Sequence, residues 1–137
     1  MKFSVNQADL QKSLNYCQGV IEKRSTLPIL SNVLLDARNS NLTVIATDLD
    51  LIFTHTIKNV EIVQEGKTTT SSSIMYDIIR KFNSGKIINF LHEGNNKIHL
   101  ESENSAFNLN CIDASEFPVT DENFNQNEFL INSKSLL

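Results

Sequence analysis

Two aspartates and a histidine are the first candidates for chemistry in this chain. Asp48 and Asp50 stand two residues apart in a strand-like stretch, so their carboxylates would point to one face, and His55 follows. A small metal-dependent enzyme could use such groups. His55 has the opposite strand parity to Asp50, however, and aspartates at strand ends commonly form turns. The sequence leaves the metal site and the turn as alternatives.

The remaining histidines and the cysteines offer weaker chemistry. His92 and His99 flank a predicted hairpin turn with Glu101 nearby, which could make a surface metal site or a set of solvent-facing strand residues. Cys17 and Cys111 form no C-x-x-C pair and have apolar neighbours, which is typical of reduced core residues. The sequence contains no G-x-S-x-G, no H-E-x-x-H and no glycine-rich phosphate loop. We therefore expect no cofactor, no metal and no catalytic activity.

Cations on and beside predicted helices suggest a different kind of site. Arg24 follows Lys23 just past the first helix, where a long cation can either reach a phosphate or interact favourably with the helix dipole. Arg80 and Lys81, at the end of the second helix, allow the same two interpretations. Lys12 lies on the polar face of the first helix.

Two helical segments, 7–24 and 74–86, must position these cations. Asn6 is a candidate N-cap for the first, and Ser71 to Ser73 offer caps for the second. The first helix has an apolar stripe and an opposite face without large apolar residues. The stripe consists of Leu10, Leu14, Cys17 and Ile21; the opposite face consists of Ala8, Lys12, Asn15, Gly19 and Lys23. The second helix has a broader apolar face of Ile74, Met75, Ile78, Ile79 and Phe82, and Gly85 is its predicted stop.

The rest of the chain alternates with the period of strands. The predicted strands are 3–6, 30–38, 41–48, 51–58, 60–64, 67–71, 86–92, 97–103 and 105–112. Their order with the helices predicts an α+β fold made of two β-α-β-β-β halves.

Charge and hydropathy limit the class of protein. The net charge is −4, but the two helical segments hold six basic and three acidic residues, a balance of +3 that leaves −7 for the rest. A polarised particle of this kind has one face suited to phosphates. No apolar run approaches the roughly 20 residues that span a bilayer, and the amino terminus has no signal-peptide core. We expect a cytoplasmic protein without membrane contact.

An internal echo predicts the domain boundary. Phe3 to Leu10 is matched by Phe129 to Leu136, with Phe, Asn and Leu identical, after the polar linker 119–127. We expect residues 1–127 to form one domain and residues 128–137 to begin a second, similar domain that is cut short.

Several short motifs together are more specific than any one alone. Met1-Lys2-Phe3 precedes a helix, Arg24 precedes Thr26-Leu27-Pro28-Ile29-Leu30, and Thr47-Asp48-Leu49-Asp50 follows two strands. Further positions in register are Gly66, Thr68, Thr69, Asp77, Arg80, Gly85, Glu93-Gly94 and Phe117-Pro118. This pattern closely resembles the first domain of the bacterial beta sliding clamp family, the processivity factors of DNA polymerase III.

The resemblance implies a function and a set of partners. Clamp subunits of this family contain three similar domains, and two subunits close head to tail into a ring around duplex DNA. Helices line the hole and antiparallel sheets form the outer wall. The implied partners are therefore double-stranded DNA of any sequence and a second clamp subunit. DNA polymerase III and the clamp loader are also implied, but they bind mainly through the third domain. The resemblance implies no catalytic activity.

The resemblance also assigns residues to roles. Arg24 matches a family position that contacts duplex DNA, and Lys12, Lys23, Arg80 and Lys81 fall on or beside the helices that line the hole. The subunit interface would use Ile74 and the edge strand Ser105, Ala106, Phe107, Asn108 and Leu109. Well-known members carry basic residues near these interface positions, where this chain has Glu103, Asn104, Ala106, Ser73 and Ile74. We therefore expect an interface of backbone pairing and apolar packing. A generic β-rich interaction domain without DNA contact is the remaining alternative.

Overall fold

Two halves of similar topology make up the computed structural model, which describes residues 1–21, 28–94 and 96–118. The first half contains β1 (Lys2–Asn6), α1 (Gln7–Gln18), β2 (Asn32–Arg38), β3 (Asn41–Thr47), β4 (Ile52–Ile57) and β5 (Glu61–Gln64). The second half contains β6 (Gly66–Ser71), α2 (Ser72–Ile79), β7 (Ile87–Leu91), β8 (Lys97–Ser102) and β9 (Ser105–Ile112). Short 3₁₀ helices cover Pro28–Ser31 and Ala114–Glu116. The predicted α+β order is confirmed.

The strands form one antiparallel sheet in the order β4-β3-β2-β6-β9-β8-β7-β1-β5. β6 and β9 join its two parts through only two residue pairs, Thr69 with Ile112 and Thr70 with Cys111. The two threonine hydroxyls strengthen this seam, because each donates a 2.8 Å hydrogen bond to a β9 carbonyl. The seam is therefore narrow, and most of β9 has a strand on one side only.

Both helices begin where the sequence indicates but end earlier. Asn6 Oδ1 accepts the Ala8 N–H at 2.9 Å, and Ser71 Oγ accepts the Ile74 N–H at 3.3 Å, so both predicted caps are confirmed. The predicted ends at 24 and 86 are wrong: α1 ends at Gln18, with Gly19 as its cap, and α2 ends at Ile79. After α2 the chain turns tightly because Phe82 is buried. Gly85, with φ of +82°, lies beyond that turn and does not stop the helix.

The core lies between the helices and one face of the sheet. The predicted stripe of α1 is confirmed, because Leu10, Leu14 and Cys17 are fully buried and Ile21 packs against them. From the sheet, Phe3 and Phe90 stack with ring centroids 4.7 Å apart. The other sheet face has a smaller cluster, in which Leu34 and Ile45 are covered by Phe117. Since one face carries both helices, the exposed residues of those helices share one side of the molecule.

Candidate functional site

The outward faces of α1 and α2 form one continuous surface. The two helices are linked directly: Tyr76 Oη donates to Asn15 Oδ1 at 3.4 Å, and the Gln7 amide donates to the Ile79 carbonyl at 2.8 Å. The small and polar side chains predicted for the outer face of α1 are exposed; they are Ala8, Lys12, Asn15 and Gly19. We call the exposed surface of α1, α2 and the turn that follows α2 the helix face.

Three of the predicted DNA-contacting cations are exposed on this helix face. Lys12 points away from the core, since it is opposite the buried stripe of α1. The Arg80 guanidinium lies over the Tyr76 ring, 5.4 Å from its centroid, and 4.0 Å from the Asp77 carboxylate. An exposed ion pair of this length contributes little to stability, so the arginine remains available to a stronger anion. Lys81 is exposed in the turn after α2.

Charge on the helix face is predominantly positive in the described part of the chain. Residues 7–18 and 72–86 carry four basic side chains (Lys12, Arg80, Lys81 and Lys86) and two acidic ones (Asp9 and Asp77). Lys86 lies 3.7 Å from Glu103. Lys23 and Arg24, the other two predicted contacts, lie outside the described residues, so their roles stay predictions.

The second predicted site, the β9 edge, has backbone groups that face away from β8. Cys111 donates its N–H to the Asn96 carbonyl on the β8 side, whereas the Asn110 carbonyl accepts from Thr70 on the other side. Because successive residues of a strand point their backbone groups to alternate sides, those of Ala106 and Asn108 face away from β8. Within the described ranges no strand pairs with β9 there. This stretch is an open edge that another strand could extend.

A groove runs beside this open edge to the start of α2. Ile74, Asn108 and Leu109 line it together with Thr70 and Lys97. Ile74 is 53% exposed, unlike the rest of the predicted apolar face of its helix. Leu109 is 5% exposed and belongs to the core, while Phe107 is half-buried with its ring edge-on to Phe82 at 5.6 Å. Ile74 is therefore the large apolar side chain that the groove offers to a partner.

The aspartate pair forms a turn. Asp48 Oδ1 accepts the N–H groups of Asp50 and Leu51 at 3.0 and 2.7 Å. Thr47 Oγ1 accepts the Leu49 N–H and donates to the Leu51 carbonyl, which holds Leu49 at a φ of +82°. The turn interpretation is confirmed. The proposed surface metal site is not supported, since the described His, Cys, Asp and Glu residues form no group of three that could hold a metal ion.

His99 and Cys17 also have structural surroundings. His99 contacts Asn108 at 2.9 Å and Glu101 at 3.4 Å, and these hydrogen bonds raise the pKa of its imidazole. Burial raises the pKa of the Cys17 thiol to about 12, which makes it unreactive as expected for a core cysteine. Neither helix in the described residues is long and apolar enough to cross a membrane.

An aromatic cluster that the sequence did not predict lies between α1 and β4. Tyr16 is edge-on to both His55 and Phe53, with centroids 5.4 and 6.0 Å away, and His55 Nδ1 shares a 2.5 Å hydrogen bond with the Ser13 hydroxyl. Burial and then the charge of Lys12 lower the pKa of His55, while Asp9 opposes them. The available signals were the helical spacing of Lys12 and Tyr16 and the matching parity of Phe53 and His55.

The family model for the DNA polymerase III beta subunit, N-terminal domain, matches residues 1–121. The chain belongs to this family. A beta sliding clamp of Caulobacter vibrioides is 35% identical over 121 residues, which cover 87% of this chain and 32% of that protein. A beta sliding clamp of Escherichia coli K12 is 32% identical over 131 residues, covering 96% of this chain and 36% of that protein. The chain thus spans about a third of the length of these curated relatives.

Solved structures of the family share the fold. The crystal structure of a DNA polymerase sliding clamp from Caulobacter crescentus superposes with a TM-score of 0.82 at 34% identity, covering 88% of this chain and 33% of that one. The two β-α-β-β-β halves, the antiparallel sheet and the paired helices are therefore an N-terminal clamp domain of the DNA polymerase III beta subunit family. The predicted family and the predicted fold are confirmed.

Proposed function

We propose that this chain is the N-terminal domain of a processivity factor that encircles duplex DNA and tethers a replicative DNA polymerase. One observation carries the proposal: a cationic helix face and an open strand edge occur together in a domain of the sliding clamp family. Loose contact between cations and phosphates is independent of sequence and sensitive to salt, so it permits sliding. Closure of a ring, rather than tight binding, then provides processivity.

The DNA-contacting residues in this proposal are Arg24, Lys23, Lys12, Arg80 and Lys81. Lys12, Arg80 and Lys81 are supported by their exposure on the helix face. Arg24 and Lys23 are supported by the family position alone. The factor would have no catalytic activity of its own and would act in the cytoplasm.

The second proposed partner is another copy of the full-length protein, joined head to tail. Ser105, Ala106, Phe107, Asn108 and Leu109 would supply one strand of a sheet that continues across the interface, and Ile74 would supply apolar contact. The open backbone groups of Ala106 and Asn108 support this arrangement, as does the exposure of Ile74. DNA polymerase III and the clamp loader would bind mainly through parts of the protein outside this chain. Residues 1–127 would be the first domain and residues 128–137 the start of the second.

Retention on DNA tests the ring. Full-length protein is loaded onto nicked circular plasmid, half of the sample is linearised, and bound protein is measured by gel filtration. We expect the protein to stay on the circle and to slide off the linear molecule. Equal loss from both forms would contradict encirclement.

Arg24→Ala tests the DNA contacts in the full-length protein. It should weaken DNA binding and reduce the salt slope of the binding constant by about one, because one phosphate contact is lost. Arg38→Ala is the matched control, since Arg38 is an exposed cation at the end of β2 beside Asp36 and away from the helix face. Identical effects of the two variants would remove Arg24 from the contact surface.

Ile74→Asp tests the interface in the full-length protein. A buried carboxylate in an apolar contact should weaken dimerisation about tenfold or more, as measured by sedimentation. Val63→Asp is the control, because Val63 is even more exposed but lies on β5, at the far end of the sheet from β4. A dimer that tolerates Ile74→Asp as well as Val63→Asp would place the interface elsewhere.

A further inference from the structure

We propose that the hollow between α1 and β4 binds an unpaired nucleotide of single-stranded nucleic acid. Its phosphate would lie beside Lys12 and Lys58, and its base would stack on Tyr16. The proposal goes beyond duplex encirclement and rests on the proposed function only in taking a nucleic acid as the ligand. We call this hollow, lined by Asp9, Lys12, His55, Thr56, Ile57 and Lys58, the α1–β4 hollow.

Tyr16 has the properties of a stacking platform. It is 44% exposed, although an aromatic ring gains free energy from burial. Edge-on contacts with His55 and Phe53 hold the ring in place, and those two rings are themselves parallel within 7°. An exposed ring that is already held in position loses little conformational freedom when a base stacks on it.

The hydrogen bond to Ser13 fixes the support beneath this platform. Ser13 is fully buried in α1, so its hydroxyl anchors the His55 ring between helix and strand. The lowered pKa of His55 keeps the ring neutral near pH 7, which leaves it able to hydrogen-bond to a base or a phosphate. Alone, this titration would not indicate a ligand. It supports the geometry.

The charges around the hollow favour an anion. Lys12 lies one helical turn before Tyr16 on the same stripe of α1, and Lys58 directly follows β4. Asp9 is the opposing charge, so the lining carries two cations and one carboxylate. A phosphate held by Lys12 would place the adjoining base near Tyr16. This pairing of a cation with an aromatic ring is the usual composition of single-strand sites.

The hollow suits an unpaired nucleotide better than a duplex. A base must leave its stack before its face can meet a protein ring, and that requirement is already met in a single strand. β4 is an edge of the sheet, pairing only with β3 among the described residues, so the hollow opens sideways from the helix face. The other candidate occupant is the rest of the polypeptide, and the experiment below separates the two.

Tyrosine fluorescence provides a direct test. The chain has no tryptophan and two tyrosines, so Tyr76→Phe leaves Tyr16 as the only emitter and keeps the ring beneath Arg80. We expect a 20-nucleotide oligo(dT) to quench this emission saturably at low salt. A blunt duplex and an abasic oligomer of equal length should quench it much less, because neither offers a free base.

Affinity measurements identify the groups involved. Tyr16→Leu should weaken oligo(dT) binding about tenfold, whereas Tyr16→Phe should retain it, because stacking needs the ring and not the hydroxyl. Lys12→Gln should reduce the salt slope, and Asp9→Asn should tighten binding. Unchanged binding by Tyr16→Leu, or equal quenching by the abasic oligomer, would overturn the proposal.

The full-length protein decides between the two occupants. If oligo(dT) quenches Tyr16 in the 137-residue chain but not in the full-length protein, the rest of the polypeptide covers the hollow and the proposal is wrong. Quenching in both supports it. Retention on circular DNA is measured separately in the Tyr16→Leu protein. A retained ring that has lost oligo(dT) binding agrees with both proposals, and a failed ring with intact oligo(dT) binding contradicts only the proposed function.

Discussion

The first and second halves of this domain share a topology but present different surfaces. Each half has a strand that leads through a capped N-terminus into a helix, and then a meander that ends in an outer strand, β4 or β9. Three residues after its cap, α1 carries Asp9, whereas α2 carries the exposed Ile74. Beside the helices, β4 contributes His55 and β9 contributes Phe107, which packs against Phe82.

The difference separates residues that specify the fold from those that specify partners. Buried positions of the two halves are alike in kind, with Leu10 and Leu14 in α1 corresponding to Met75 and Ile79 in α2. Their exposed positions diverge, and the proposed partners diverge with them: another protein copy beside α2 and nucleic acid beside α1. A repeated unit can therefore keep one core pattern while its surfaces acquire separate roles.

Removal of core side chains should give the largest effect and treat the halves alike. Leu14→Ala and Ile79→Ala each delete a fully buried aliphatic group, so each should lower the free energy of unfolding by about 2–5 kcal/mol. Ile74→Ala should change it by less than about 0.5 kcal/mol, because the side chain is exposed. Urea denaturation of the 137-residue chain measures all three. A large loss with Ile74→Ala would make Ile74 a fold residue and break the comparison.

Removal of the helix caps should give a smaller effect that differs between the halves. Asn6→Ala and Ser71→Ala each leave a helix N–H without its side-chain acceptor, at about 1 kcal/mol apiece. The Asn6 bond is shorter, 2.9 against 3.3 Å, so Asn6→Ala should cost more. Replacement of each residue by Asp should restore most of the stability. If Asp fails to rescue either site, side-chain capping is not what the residue contributes.

The histidines should give the smallest effect, with opposite signs in the two halves. The pKa of His55 is lowered from 6.5, so its contribution to stability is present above pH 6.5 and is lost as the pH falls. The pKa of His99 is raised from 6.5, so its contribution is present below pH 6.5 and is lost as the pH rises through the folded-state pKa. His55→Asn and His99→Asn should therefore change the slope of urea midpoint against pH in opposite directions between about pH 5.5 and 7.5. Changes of the same sign would show that one environment is misassigned.

Local signals predicted much of the fold. The stripe of Leu10, Leu14 and Cys17 has helical spacing, and Asn6 and Ser71 are residue types that cap helices, so these elements could be located from neighbouring residues alone. The helix ends could not. α2 ends at Ile79 because Phe82 turns into the core against Phe107, a contact across the fold. Apolar periodicity alone continues through Phe82 and so predicted too long a helix.

The candidate sites were predicted unevenly for the same reason. Exposure of Lys12, Arg80 and Lys81 follows from their position opposite apolar stripes, which the sequence displays. The apolar face predicted for α2 gave no sign that Ile74 would be exposed, because only the path of β9 leaves room beside it. Tyr16, Phe53 and His55 are far apart in the chain, and no local pattern brings them together.

The sequence by itself determined the family, the order of elements, the buried stripes and the basic character of the helices, because periodicity and residue type act over a few neighbours. The tertiary structure decided that the seam between β6 and β9 stops at Thr70, which leaves the edge at Ala106 and Asn108 open. It also decided that α1 meets β4 at an aromatic cluster. These features depend on strand register and helix packing between distant segments, which hydrogen bonds and burial fix only when the whole chain is assembled.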